Sequence, residues 1–135
     1  MPLLPRKGVL AIAAVLDVAL HAHNRPVSAK ALADRHALPP RHLEPLLQAL
    51  VRDGILKGIR GPRGGYQLAR ERRHISAEEI LRAAGTVDEL GADSGPEARI
   101  VTEVVRPALV QAERAFATVL GRLSVEDLTH QAEIL

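Results

Sequence analysis

The segment Arg60-Gly-Pro-Arg-Gly-Gly65 has residue types and spacing suited to contact with phosphates. Three glycines and a proline in six residues make a turn. Its arginines, Arg60 and Arg63, then stand at the tip. Glycine lets backbone N–H groups approach a phosphate, and arginine fits a narrow, electronegative minor groove. Between residues 55 and 75 the chain has six basic residues (Lys57, Arg60, Arg63, Arg70, Arg72 and Arg73) against one acidic residue, Glu71. A second group, Arg41, His42, Glu44 and Gln48, lies off the apolar stripe of a helical segment and is free to face outward. Arginine can form a bidentate bond to guanine, glutamine can pair with adenine, and glutamate can accept from cytosine. Each group taken alone also fits the solvated face of an ordinary soluble domain. It is the hairpin beside the helix that favours base and phosphate recognition.

Other chemistries find little support. The chain has no cysteine, which removes disulfides, thiolate zinc sites and a Cys nucleophile together. Three of the four serines, Ser28, Ser76 and Ser124, stand at helix-capping positions, and the fourth, Ser94, has no evident base beside it. No enzyme is expected. Gly61 to Gly65 lacks the Gly-Lys-Ser/Thr ending of a nucleotide phosphate loop. The six histidines, His21, His23, His36, His42, His74 and His130, include no His-x-x-x-His pair. Asp88, Glu89 and Asp93 could join a histidine around a metal, but loops are commonly acidic, so neither metal nor cofactor is expected. Two aromatic residues, Tyr66 and Phe116, do not make a stacking platform for single strands.

A length of 135 residues suits one core, and 47% hydrophobic against 25% charged residues marks a folded chain. The net charge of +2 hides an asymmetry. Residues 1–75 have thirteen Lys or Arg against five Asp or Glu, a surplus of eight, while residues 76–135 have five against eleven, a deficit of six. Such polarity points toward nucleic acid. Arg6-Lys7 and the apolar run to Leu20 imitate a signal peptide. The run is too short to span a bilayer, Asp17 interrupts it, and no clear cleavage site follows. A cytoplasmic protein with no membrane association is expected, and an exported one is the alternative.

The elements that must position these groups are legible from periodicity. Val9, Ile12, Leu16, Ala19 and His23 recur at helical spacing in a first helix that is apolar on more than one side. Ser28 caps a second helix running to about His36, with Val27 and Leu32 as a hydrophobic staple. Leu38-Pro39-Pro40 forces a turn. A third helix follows with Leu43, Leu46, Leu47, Leu50 and Val51 on one face, and Pro45 is expected to bend its first turn or delay its start. Gly54 ends it. Ile55–Ile59 and Tyr66–Ala69 read as the strands of a hairpin. Ser76-Ala-Glu-Glu79 is a capping box, with Ile75 and Ile80 as staple, for a fourth helix reaching about Ala84. Gly85 to Pro96 is a loop. A long helix over roughly 97–122, about 39 Å at 1.5 Å per residue, has a stripe of Val101, Val104, Val105, Ala108, Leu109, Ala112, Phe116, Val119 and Leu120. Pro107 is expected to kink it. Ser124-Val-Glu-Asp127, with Leu123 and Leu128, opens a short last helix.

The order helix, helix, turn, helix, hairpin is that of a winged helix-turn-helix. Lys7-Gly8, Leu16-Asp17-Val18-Ala19-Leu20, Pro26-Val27, Leu43-Glu44, Leu50 and Gly54 add detail. Together with Arg60-Gly61-Pro62, Gly64-Gly65-Tyr66 and Leu68, they resemble the Rrf-two family of bacterial transcription regulators. The likeness is densest from residue 6 to about 84. It implies a mainly α fold with a winged helix-turn-helix DNA-binding domain over residues 1–84, bearing a two-stranded β wing. A sensor-type loop would follow over 85–96, then a dimerisation helix and short C-terminal helix over 97–135. It also implies a homodimer on a palindromic or nearly palindromic operator in double-stranded DNA. Arg41, His42, Glu44, Arg60, Pro62, Gly64, Gly65 and Tyr66 would then be the family's recognition residues, with Gln48, Lys57 and Arg63 beside them. Val101, Val104, Val105, Ala108, Leu109, Ala112, Phe116 and Val119 would make the dimer interface, packing on the partner's equivalent helix and on the first helix.

Three departures qualify the likeness. The loop at 85–96 lacks the three cysteines of cluster-binding members, so no conventional iron–sulfur cluster is expected. His42 stands where the family often has Tyr, and Pro39, Arg41 and Pro45 alter the start of the recognition helix. Arg63 stands where a small residue is common. The expected function is a sequence-specific, homodimeric repressor without a cluster, its effector (small molecule or protein) left open. The alternative is a protein-interaction module of the same fold that has lost sensing or specific DNA binding.

Overall fold

In the computed structural model, which describes residues 6–22, 25–85 and 99–135, the first helix α1 (Arg6–His21) runs through the middle of the core. Gly8, Ala11, Val15 and Val18 form its buried face, and these small residues let α4 (Ala77–Gly85) and α6 (Val125–Ile134) pack against it. The expected stripe is the outer one: Val9 is 48% exposed, and Ile12, Leu16 and Ala19 are half-buried. The helix is apolar nearly all round, so periodicity could not choose a face. His23 lies outside the described residues.

Ser28 caps α2 (Ala29–Arg35) by accepting from the Ala31 N–H at 3.0 Å. Ala37 then adopts a left-handed conformation (φ 52°) that turns the chain into α3 (Pro40–Arg52). Leu43, Leu46, Leu47 and Leu50 are buried as the pattern requires, whereas Val51 is 37% exposed. Pro45 neither delays nor ends α3. Both Pro45 and Arg41, whose carbonyl would have taken the missing N–H bond, are exposed. Water can satisfy that carbonyl so near the helix start.

The strands are β1 (Leu56–Ile59) and β2 (Gly65–Leu68), antiparallel with Leu56 opposite Leu68 and Ile59 opposite Gly65. Each is offset from its expected span. The Ile55 N–H bonds to the Leu50 carbonyl at 2.9 Å, closing α3 instead of opening a strand. A 3-10 turn (Arg72–His74) leads to the capping box of α4, in which Ser76 N donates to Glu79 Oε2 at 3.0 Å and Glu79 N to Ser76 Oγ at 3.2 Å. Ile75 and Ile80, its staple, are fully buried. Arg70 and Ser76 hold the Glu79 carboxyl below its usual value against the opposing effect of burial.

The expected long helix is continuous over the described residues 99–121, but its register changes on the way. Residues 101–105 form a widened π-helical turn and α5 covers Arg106–Gly121. Pro107 explains the widening: it has no N–H for the carbonyl four residues back. The chain then returns to the core. Ala77 N donates to the Leu123 carbonyl at 2.8 Å and Val125 N to the Ile75 carbonyl at 2.8 Å. Ser124 and Asp127 complete a capping box for α6, and Val125 is fully buried.

One buried carboxylate ties α1 to α2. Asp17 is 6% exposed, and Arg35 donates to both its oxygens, Nε to Oδ2 at 2.8 Å and Nη2 to Oδ1 at 2.6 Å. His36 Nε2 lies 3.2 Å from Oδ2 and His21 Nδ1 3.3 Å from Oδ1. Burial pushes the Asp17 carboxyl up, but the hydrogen bonds and charge of Arg35, with His21 and His36 adding, outweigh it and hold it below its ordinary value. Arg35 is correspondingly raised.

A depressed folded-state value means that this stabilisation is complete above the ordinary carboxylate range and is lost as pH falls through the folded value. Asp17→Asn is expected to cost about 1–3 kcal/mol at neutral pH. It should also flatten the decline of melting temperature on acidification below about pH 4. Thermal melts of both proteins across pH 3–7 check this, and parallel curves would remove Asp17 from the acid response.

Candidate nucleic-acid interface

The charged and amide side chains expected on the recognition surface are exposed, and Tyr66 is half-buried. Arg41, His42, Glu44 and Gln48 project from α3 on the side away from Leu43, Leu46, Leu47 and Leu50. At the ribbon tip Arg60, Gly61, Pro62 and Arg63 are exposed, while Gly64, Gly65 and Tyr66 are half-buried at its base. Lys57 is exposed on β1. The strands thus lift Arg60 and Arg63 clear of the domain while α3 presents its own polar edge.

The glycines have a steric reason. A Cβ on Gly64 would stand 2.1 Å from the Ile59 carbonyl oxygen, and one on Gly65 would stand 2.4 Å from the Val27 carbonyl oxygen. Both would overlap backbone, which cannot swing aside. The second approach exists because β2 pairs on its far side with Val27. Val27 N donates to the Tyr66 carbonyl at 2.9 Å and Tyr66 N to the Val27 carbonyl at 2.8 Å. This antiparallel bridge anchors the ribbon to the segment leading into α2. Sequence reading assigned Val27 only to a staple and missed the bridge, because long-range strand pairing leaves no local pattern.

The basic surplus after the ribbon is mostly spent within the molecule. Arg70 donates to the carbonyls of Gly54 (3.2 Å) and His74 (3.0 Å) and to Glu79 Oε1 (3.1 Å). Arg72 pairs with Glu126 at 2.8 Å and lies 3.6 Å from Glu133, and Arg73 pairs with Glu71 at 2.7 Å. Arg70 thus braces the wing's exit against α4 and Arg72 reaches α6, while Arg73 stays within its own turn, so these charges are paired where those of the ribbon are not. Among the described residues no hydrogen bond or ion pair engages Lys57, Arg60 or Arg63.

The 101–105 turn and α5 together present apolar side chains to solvent. Val104 is 61% exposed, Leu109 62%, Phe116 37% and Val119 58%. Val105, Ala108 and Ala112 are exposed as well, so the stripe does not complete the core of one chain. No helix among the described residues is long and apolar enough to cross a membrane. No group of three or more His, Asp or Glu arranged to hold a metal occurs among them. The loop carrying Asp88, Glu89, Asp93 and Ser94 lies outside the described residues.

A winged helix with this ribbon and this rod is found in known regulators. The model of the Rrf2 family, described as iron-dependent transcriptional regulator, matches residues 4–131. The chain belongs to the Rrf2 family. The HTH-type transcriptional regulator IscR of Xenorhabdus nematophila is 31% identical over 137 aligned residues, spanning 98% of this chain and 82% of that protein. Among solved structures, T. potens IscR superposes with a TM-score of 0.73 at 29% identity, covering 96% of this chain and 87% of the other. CymR, the global cysteine regulator of B. subtilis, gives 0.72 at 26% identity, covering 95% and 96%. This Rrf2 chain is therefore a DNA-binding transcription regulator by family, a winged helix-turn-helix by fold, and not an enzyme. It lacks the cysteines that would ligate a cluster.

Gly65→Ala tests the steric reading. The added methyl should break the Val27–Tyr66 bridge, lowering thermal stability by about 1–3 kcal/mol. It should also weaken duplex binding at least tenfold. Hydrogen exchange at the Val27 and Tyr66 amides reports the bridge directly, and unchanged protection would refute the role given to the glycine.

Proposed function

We propose that this Rrf2 protein is a homodimeric repressor that grips a palindromic operator without an iron–sulfur cluster. The observation that supports this best is the pair Arg60 and Arg63, exposed at the tip of a ribbon beside the polar edge of α3 and held by no partner among the described residues. In the proposed complex Arg41, His42, Glu44 and Gln48 at the start of α3 face base edges in the major groove. Arg60, Pro62 and the glycines of the tip enter the neighbouring minor groove, Arg63 meets the sugar–phosphate backbone beside it, and Lys57 and Tyr66 stand at the stem. Residues 1–84 form the DNA-binding domain, 85–96 a sensor-type loop without cysteines, and 97–135 the dimerisation unit.

The homodimer reading rests on α5. Val104, Leu109 and Val119, all more than half exposed, would gain a covering from a second chain. The other members of the proposed interface are Val101, Val105, Ala108, Ala112 and Phe116. The outer stripe of α1, with Val9 and Leu16, is available to the partner's rod. A dimer sets two recognition helices about 34–36 Å apart, one turn of the double helix.

Leu109→Asp places a charge in this stripe and should convert the protein from dimer to monomer in sedimentation velocity while leaving melting cooperative. A monomeric wild-type protein would sink the homodimer reading.

Selection from a random duplex library should return an inverted repeat. On that duplex Arg60→Ala should weaken binding about tenfold and reduce the slope of log K against log salt by about 0.9 per protomer. Retention only on random DNA at low salt, with no preferred site, would favour the protein-interaction module instead. A reporter downstream of the selected site should fall when the protein is expressed.

A further inference from the structure

The segment leading into the Val27–Tyr66 bridge borders a candidate anion-binding site. A cavity of about 560 Å³ lies between the turn after α1, the exposed face of α2 and the tip of the wing. Its charged lining is basic throughout: His21, Arg25, Arg35 and Arg63, with the Ser28 hydroxyl beside them and no acidic side chain. Arg35 is committed to Asp17, whose charge it offsets. Arg25 and Arg63 are exposed, and neither has a hydrogen bond or ion pair among the described residues. The Ser28 oxygen accepts from Ala31 N to cap α2, and its proton remains available to donate. Two unpaired guanidinium groups and a hydroxyl thus face one concavity. The Val27–Tyr66 bridge holds its two walls at fixed separation.

We infer that this cavity takes a single phosphoryl group, bound by Arg25 and Arg63 together. Arg25 lies outside the recognition residues identified from helix and ribbon, so the site extends the interface to the turn before α2. Guanidinium forks match the paired oxygens of a phosphate. Two such groups lining one concavity that has no carboxylate repel each other until an anion joins them. The chemistry is that of a phosphate monoanion or dianion, and it has two sources: a backbone phosphate of the bound duplex, or a free phosphate. The first rests on the DNA-binding reading above and the second does not.

The test uses the full-length protein as Arg25→Gln, Arg63→Gln and the double variant. Both side chains are exposed and unpaired, so thermal melts should match wild type. On the selected duplex, a backbone phosphate predicts that the double variant loses about 0.9 per protomer from the salt slope, the value for one phosphate. Arg25→Gln alone should weaken binding at least threefold. A loss near 1.8 would mean two separate phosphates and would overturn the shared site. In parallel, calorimetric titration with inorganic phosphate in a phosphate-free buffer distinguishes the other source. Saturable uptake of one phosphate per protomer, absent from the double variant, assigns the cavity to a free anion. Should wild type fail to bind any duplex specifically, the regulator reading falls and the phosphate titration alone decides the cavity. An unchanged salt slope together with no phosphate uptake overturns the proposal.

Discussion

Two hydrogen bonds, between the backbones of Val27 and Tyr66, connect the ribbon to the helix pair. A two-stranded ribbon alone is marginal in water. Here β2 gains a neighbour on each side, β1 through the hairpin and Val27 through the bridge. The bridge demands that a foreign backbone pass where a Cβ would stand at residue 65, and only glycine leaves that space. The Gly-Gly-Tyr run is therefore a packing requirement first. Its consequence for binding is indirect: Arg60 and Arg63 reach outward from a stem whose angle to α2 and α3 is set.

The same economy governs charge. Arg70, Arg72 and Arg73 follow the ribbon in sequence but bond to carbonyls, Glu79, Glu126, Glu133 and Glu71. These pairs lie at the surface, where each contributes little alone. They nevertheless connect the end of the wing to α4 and α6, the helices that pack on α1. Arg60 and Arg63 at the tip and Arg25 in the turn before α2, like Arg41 on α3, have no such partner among the described residues. Basic charge counted along the sequence thus divides into a bracing set and an unpaired set.

The C-terminal rod shows a related division. Both its neighbours along the chain belong to the folded domain: α4 precedes it, and the turn at Leu123–Val125 bonds back to Ile75 and Ala77. Its apolar stripe remains uncovered all the same. A helix anchored to its own domain yet bare along its length is suited to carry a second copy in a defined orientation.

Much of this protein is written in its sequence. Local rules are short-ranged, and where they act alone they succeeded: Ser28, Ser76 and Ser124 cap the helices they precede, the four leucines of α3 face inward, and the Gly-Pro-Arg-Gly turn separates two strands. The exposure of Arg41, Glu44 and Gln48 followed from the helical periodicity, and that of Arg60 and Arg63 from the turn. What required the tertiary structure was every choice among chemically equivalent options. Helix α1 is apolar on all sides, and only its packing against α4 and α6 selects Gly8, Ala11, Val15 and Val18 as the inner face. Asp17 looks like a polar interruption until Arg35, eighteen residues later, closes on it. Arg25 reads as a loop charge until β2 is brought beside Val27 and a basic cavity forms around it. Sequence specifies what each residue can bond to, whereas the folded chain decides which of several suitable partners comes within reach.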